Sequence, residues 1–204
     1  MNVGLFGGSF SPPHNGHVRL AKLFRDAVCL DVLYVMPAGI APHKAADAFG
    51  TPQARLAMTR LAFGDFASVS DFEIRQEGKS YTYKTLRHLC TLYPGAGIYL
   101  LMGEDMFLTL DTWKRAEEIF SLATIVCMRR TEGANTALQD TAARFTSAYG
   151  ARVLYLPEEP FVVSSSKVRA LCAAGASIAH LVPASVENYI KEHRLYCYDK
   201  RDHK

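Results

Sequence analysis

The chain has 204 residues, of which 49% are apolar and 21% charged, and a formal net charge of +3. That length suits one domain with a sizeable core, and the balance excludes wholesale disorder and any basic tract able to grip nucleic acid. Five cysteines, scattered and never in a Cys-x-x-Cys pair, point to a reducing, cytoplasmic setting without a zinc site, and no apolar run is long enough for a bilayer or shaped like a signal peptide.

Taken in chain order, "NVGLF" predicts a short buried strand. A helix over residues 16–28 follows, with Leu20, Ala21, Phe24, Ala27 and Val28 on one face. "DVLYVMP" reads as a second strand stopped by Pro37. Thr51-Pro52 reads as an N-cap with proline at the first helical position, opening a helix to about Ala62. "SVSDFEI" alternates like a strand, and a helix from Thr82 to Tyr93 turns Leu86, Leu89 and Tyr93 inward before Pro94-Gly95. "GIYLLMG" and "ATIVCMR" predict buried strands separated by a helical segment through "WKRAEEIF". "ARVLYLP" is expected as the last strand, followed by short helices from about Ser166 and Ala184.

Strands alternating with helices predict an α/β fold, a Rossmann-like doubly wound parallel sheet. The expected organisation is a single domain, with a core over residues 1–160 and a small C-terminal helical part over residues 161–204. Such sheets bind ligands beyond the carboxyl ends of their strands. The stretches that look chemical all follow strands: "GGSFSPPHNGH", "AGIAPHK", "MGEDM", "RR" and "SSSKVR". They are expected to converge on one rim.

The first stretch carries the most. Gly7 and Gly8 allow a backbone to approach a ligand, and His14 and His17, three apart at a helix start, can point the same way. Helix N-termini attract anions, and two imidazoles there suit a polyphosphate. A proline-rich turn with two surface histidines is the plain alternative. The dinucleotide fingerprint is absent, since it needs G-x-G-x-x-G and an acid where this chain has "LYVMP". In "SSSKVR", Lys167 and Arg169 lie in a first helical turn, where cations oppose the helix dipole unless an anion binds.

"GGSFSPPHNGH" resembles the G-G-[ST]-F-D-P-x-H-x-G-H signature of the nucleotidylyltransferase superfamily, and "VSSSKVR" resembles its second signature, I-S-S-T-x-[IV]-R. Within that superfamily, "APHK", "SYTYKTL", "MGEDMFLTLDTW" and "LVPASVENYIKEHRLY" are similar to the nicotinate mononucleotide adenylyltransferase family. The likeness runs in order from about residue 3 to 198. It implies adenylyl transfer from ATP to nicotinate mononucleotide, with Mg²⁺ accompanying ATP, giving deamido-NAD and pyrophosphate. It implies neither nucleic-acid nor membrane partners, and the sequence is compatible with a homo-oligomer.

By this resemblance Gly7, Gly8, Ser9, Phe10, His14 and His17 bind ATP, as do Ser164, Ser165, Ser166 and Arg169. His14, His17 and Arg169 are the implied catalytic residues. Gly103 and Asp105 fall where the family holds the adenosine ribose; Asp105 alone would read as a helix cap. On the acceptor side the likeness implies His43, Lys44, Thr82, Thr85, Trp113 and Arg130, with Arg129 an alternative to Arg130. Read without it, His43-Lys44 is surface charge, Thr82 a cap and Trp113 a half-buried core residue. The Thr85 hydroxyl and N–H groups near the helix start are expected to favour a nicotinate carboxylate, which only accepts hydrogen bonds. Ser11 replaces the usual aspartate of the first signature, Lys167 stands where an acid or neutral residue is common, and "RRTEG" replaces an arginine-proline-glycine turn. The implied reaction is in-line attack of the mononucleotide phosphate on the α-phosphorus of ATP. Its rivals are sister enzymes acting on nicotinamide mononucleotide or phosphopantetheine, and a nucleotide-binding regulator without turnover.

Overall fold

The computed structural model describes residues 1–39, 50–128, 136–156 and 163–197. Among them six strands form one parallel sheet in the order β3-β2-β1-β4-β5-β6. The strands are β1 (Asn2–Gly8), β2 (Val32–Pro37), β3 (Ser68–Val69), β4 (Gly97–Gly103), β5 (Thr124–Met128) and β6 (Val153–Leu156). The helices in chain order are α1 (Asn15–Ala27), α2 (Pro52–Phe63), α3 (Phe72–Arg75), α4 (Thr82–Leu92), α5 (Glu104–Leu108), α6 (Ala116–Leu122), α7 (Thr136–Tyr149), α8 (Ser165–Ala173) and α9 (Ala184–Glu192). A 3₁₀ turn over Leu110–Thr112 links α5 to α6.

The chain winds outward from β1 in both directions, so the strand order reverses between β1 and β4. A crevice at that reversal, beyond the carboxyl ends, is where doubly wound sheets hold ligands. Both faces are sealed. Val3, Leu5, Leu100 and Ile125 pack with Leu86, Leu89, Phe107 and Phe145 in one core, while Phe6, Val35 and Val126 pack with Phe24 and Phe63 in another. Fully burying such a side chain contributes roughly 1.5–3 kcal/mol. Met58 of α2 joins Val168, Ile178, Val186 and Ile190 in a third cluster, which fastens α8 and α9 to the body.

Three segments differ from their sequence patterns. "SVSDFEI" pairs only at Ser68 and Val69, then turns into α3. The cause is local: the Ser70 hydroxyl accepts from Phe72 N–H at 3.2 Å, and Arg75 N–H donates to Asp71 C=O at 3.0 Å, which closes a helical turn. Trp113, Lys114 and Arg115 precede α6, because Arg115 takes a left-handed backbone (φ 58°) that breaks the helix there. Helix α7 was not evident in the sequence, although Leu138 and Phe145 form its buried side. Within α1, Ala27 is exposed, leaving Ala21 and Phe24 as its buried anchors.

Candidate active site

The loop after β1 and the start of α1 lie at the reversal in strand order. His14 is the N-cap of α1: its Nδ1 accepts from His17 N–H at 3.3 Å, and His17 Nδ1 accepts from His14 N–H at 3.2 Å. The rings stack with centroids 3.6 Å apart. Because both Nδ1 atoms accept, each neutral imidazole carries its proton on Nε2 (a tautomer assigned from these bonds). Burial pushes the His14 pKa down to about 4, so at neutral pH His14 is an uncharged donor and not a cation.

Phe10 supports this pair from below. Its ring is 1% exposed and meets His17, Phe6 and Phe63 edge-on. What Phe10 offers the rim is therefore backbone, held at φ 45°. Gly7 has open space where a Cβ would stand, whereas a Cβ on Gly8 would come within 3.0 Å of the Phe10 ring. Gly7 thus admits close approach, and Gly8 makes room for the aromatic support.

Helix α8 meets this loop. Ser164 caps α8 by accepting from Lys167 N–H at 3.1 Å, Ser165 Oγ donates to Pro12 C=O at 2.9 Å, and Ser166 Oγ accepts from Arg169 at 3.2 Å. Arg169 also donates to Ser11 C=O at 2.7 Å. The two signature stretches, some 150 residues apart in sequence, are therefore bonded together. The start of α8 is thereby fixed to the loop that leads into α1, whose first N–H, that of Asn15, donates to Leu181 C=O at 2.9 Å. Ser11 and the closing segment are joined as well, through a 3.1 Å contact between the Ser11 and Tyr196 hydroxyls.

Across the reversal, Gly103 ends β4 and caps α5, and exposed Asp105 lies in the first turn of α5. Trp113 is half-buried against the core. The segment after it leans on the start of α4, with Lys114 over the Tyr81 ring at 4.5 Å and Arg115 over Tyr83 at 5.2 Å. Thr82 opens α4, whose N-cap Tyr81 makes no side-chain cap; Lys84 N–H donates to Tyr81 C=O at 3.0 Å, and the Thr82 and Tyr83 N–H groups have no acceptor within their own helix. Thr85 does not supply a donor at the rim: it is 1% exposed, and its hydroxyl donates to Glu73 at 2.8 Å. His43, Lys44, Arg129 and Arg130 lie outside the described residues.

Sequence reasoning missed Arg55 and Glu73, 5% and 8% exposed. Arg55 donates to Ser9 C=O at 2.9 Å and to Gly39 C=O at 2.8 Å, bridging the exits of β1 and β2. Burial lowers its pKa. The signal was a charge in register with Met58, Thr59 and Ala62 on the inward face of α2. Burial raises the Glu73 pKa, against the hydroxyl bonds from Thr85 and Ser80. No group of three or more potential metal ligands occurs among the described residues, and none of their helices is long and apolar enough to cross a membrane.

The cytidylyltransferase-like family model matches residues 5–171. A Geobacter metallireducens protein named "Probable nicotinate-nucleotide adenylyltransferase" is 37% identical over 98% of this chain and 100% of its own length. One of the same name from Chlorobaculum parvum is 38% identical over 96% and 99%. The Plasmodium falciparum nicotinic acid mononucleotide adenylyltransferase has the same fold at 15% identity. Its complex with NaAD superposes with a TM-score of 0.78, and its complex with APC with 0.77; each covers 97% of this chain and 98% of that one.

Proposed function

The chain belongs to the cytidylyltransferase-like family and, within it, to the nicotinate-nucleotide adenylyltransferases, and from that membership we infer its reaction. It transfers the adenylyl group of ATP to nicotinate mononucleotide, forming deamido-NAD and releasing pyrophosphate.

The acceptor is itself the nucleophile. Its 5′-phosphate is ionised at neutral pH, so an oxygen can attack the α-phosphorus in line while the bond to the β-phosphate bridging oxygen breaks. No side-chain base is required, and the protein's contribution is positioning and charge stabilisation. We assign the triphosphate to the paired N-termini of α1 and α8. There His14 and His17 would donate from Nε2 and Arg169 would meet the charge growing on the departing pyrophosphate. The observation that supports these roles is the reciprocal Nδ1 capping of the two histidines, which commits both Nε2–H groups away from the helix. Mg²⁺ would arrive with ATP, held by phosphate oxygens and water. The ribose falls to Asp105 and the pyridine ring to the region between Trp113 and the uncapped start of α4, whose N–H groups suit a carboxylate.

The test is pyrophosphate release from ATP, Mg²⁺ and nicotinate mononucleotide, with mass detection of deamido-NAD. Nucleotide binding without product would assign the chain to a non-catalytic role.

A further inference from the structure

Two buried ionisable side chains, Arg55 and Glu73, flank one peptide segment. Arg55 donates to the carbonyl of Gly39 at 2.8 Å. The N–H of the same residue donates to Ser80 Oγ at 2.9 Å, and the Ser80 hydroxyl faces Glu73, opposing the rise that burial gives the Glu73 pKa. Ser80 accepts from Gly39, so its own proton is the one that faces Glu73. Thr85 supplies a second hydroxyl to the same carboxylate, at 2.8 Å. Among the described residues no carboxylate is paired with Arg55 and no cation with Glu73. Arg55 is satisfied by the backbone carbonyls of Ser9 and Gly39, and Glu73 by the Thr85 hydroxyl.

The geometry admits only glycine at that point. A Cβ on Gly39 would lie 2.5 Å from the Glu73 carbonyl oxygen, a clash with backbone that cannot swing aside. Arg55 extends the tie in the other direction, through its 2.9 Å bond to Ser9 C=O. Ala38 N–H donates to Gly8 C=O at 2.9 Å beside it. The result is a continuous polar path from the loop that leads to His14, through Gly39, to Ser80 and Thr85 at the start of α4.

We propose that Glu73 and Arg55 are positioning residues that clamp Gly39 from its two sides and thereby set the distance between the ATP loop and the acceptor end of α4. This rests on the adenylyl-transfer reading above. Neither residue touches the reacting atoms. In-line transfer is sensitive to the relative placement of two substrates, so a slack clamp is read as lost acceptor affinity before lost chemistry. The two arms differ. Glu73 holds the α4 side alone, whereas Arg55 holds both the β1 loop and Gly39.

Steady-state kinetics on the full chain separates these roles. Glu73→Gln puts an amide N–H₂ toward a hydroxyl that was donating, and is expected to raise KM for nicotinate mononucleotide about tenfold, the worth of one such bond. KM for ATP and kcat should stay within about twofold. Ser80→Ala should give the same signature, and the Glu73→Gln/Ser80→Ala double variant should be no worse than Glu73→Gln alone, because both act along one path. Arg55→Lys, which cannot span two carbonyls, should raise both KM values. An unchanged acceptor KM in Ser80→Ala, equal rises for both substrates in Glu73→Gln, or additive effects in the double variant would each overturn the clamp. Should Glu73→Gln fail to fold, Ser80→Ala decides by itself. Wild-type protein that releases no pyrophosphate contradicts the activity, whereas an active wild type with an insensitive Ser80→Ala variant contradicts only this inference.

Discussion

Replacing His14 by asparagine isolates the protonation state of the α1 cap. Asparagine is a good N-cap and can still accept from His17 N–H, so the helix start is kept while the titrating ring is removed. In the wild type, burial holds the His14 pKa at about 4, against 6.5 for an unperturbed histidine. Adding a proton would also set an Nδ1–H against the His17 N–H that now donates to it. Above pH 6.5 both folded and unfolded chains carry the neutral ring and the residue contributes no pH dependence. As pH falls below 6.5 the unfolded chain takes up a proton that the folded chain refuses, and stability drops until the folded ring titrates near pH 4. At 1.36 kcal/mol per unit the loss is about 2 kcal/mol by pH 5 and approaches about 3 kcal/mol near pH 4. Urea unfolding followed by fluorescence of Trp113, the only tryptophan, measures this at pH 7, 5 and 4. The wild type should lose that much more stability than His14→Asn over the same range. Parallel pH profiles for the two proteins would refute the assignment of His14 as a neutral donor.

Three further outcomes are expected. His17→Ala should lower kcat about 10²–10³-fold with its unfolding curve little changed, since one preorganised donor to the phosphates is lost; a folded variant with wild-type turnover removes His17 from the chemistry. Arg169→Ala should raise KM for ATP more than KM for the mononucleotide, and equal effects would leave Arg169 only its tie to Ser11. Thr85→Val should cost about 1–3 kcal/mol in urea unfolding, because a buried carboxylate loses a donor; a variant as stable as the wild type would show that the Glu73 contact contributes nothing.

The strands β1, β2, β4 and β5 were legible because apolar runs bounded by glycine and proline have few other uses. His14 and His17 were legible because their spacing places them together before any tertiary contact is known. Helix α7 was not, since its two buried anchors are diluted by alanine, threonine and serine along a mostly exposed helix. The α3 turn was hidden by an alternation that the bonds to the Ser70 hydroxyl and the Asp71 carbonyl override. Phe10 and Thr85 lie in segments that the sequence assigns to the rim, yet their side chains point inward. Glu73 makes the difference for Thr85, and its proximity follows from the fold alone. Arg55 is a charge on the inward face of α2, and what it binds is visible only once the exits of β1 and β2 are placed beside it. Its register with Met58, Thr59 and Ala62 marks it as inward-facing, but the backbone carbonyls that satisfy it lie 46 and 16 residues away and leave no mark in the local sequence.

The central claim is an adenylyl transfer that selects the acid mononucleotide. With the Thr85 hydroxyl committed to Glu73, we assign that selection to the Thr82 and Tyr83 N–H groups at the start of α4, which suit a carboxylate and oppose a carboxamide N–H₂. The direct measurement is kcat/KM for nicotinate mononucleotide and for its amide at one concentration of ATP and Mg²⁺. Loss of one charge-assisted bond predicts a preference for the acid on the order of 10–100-fold. Equal values, a preference for the amide, or no pyrophosphate from either would contradict the account.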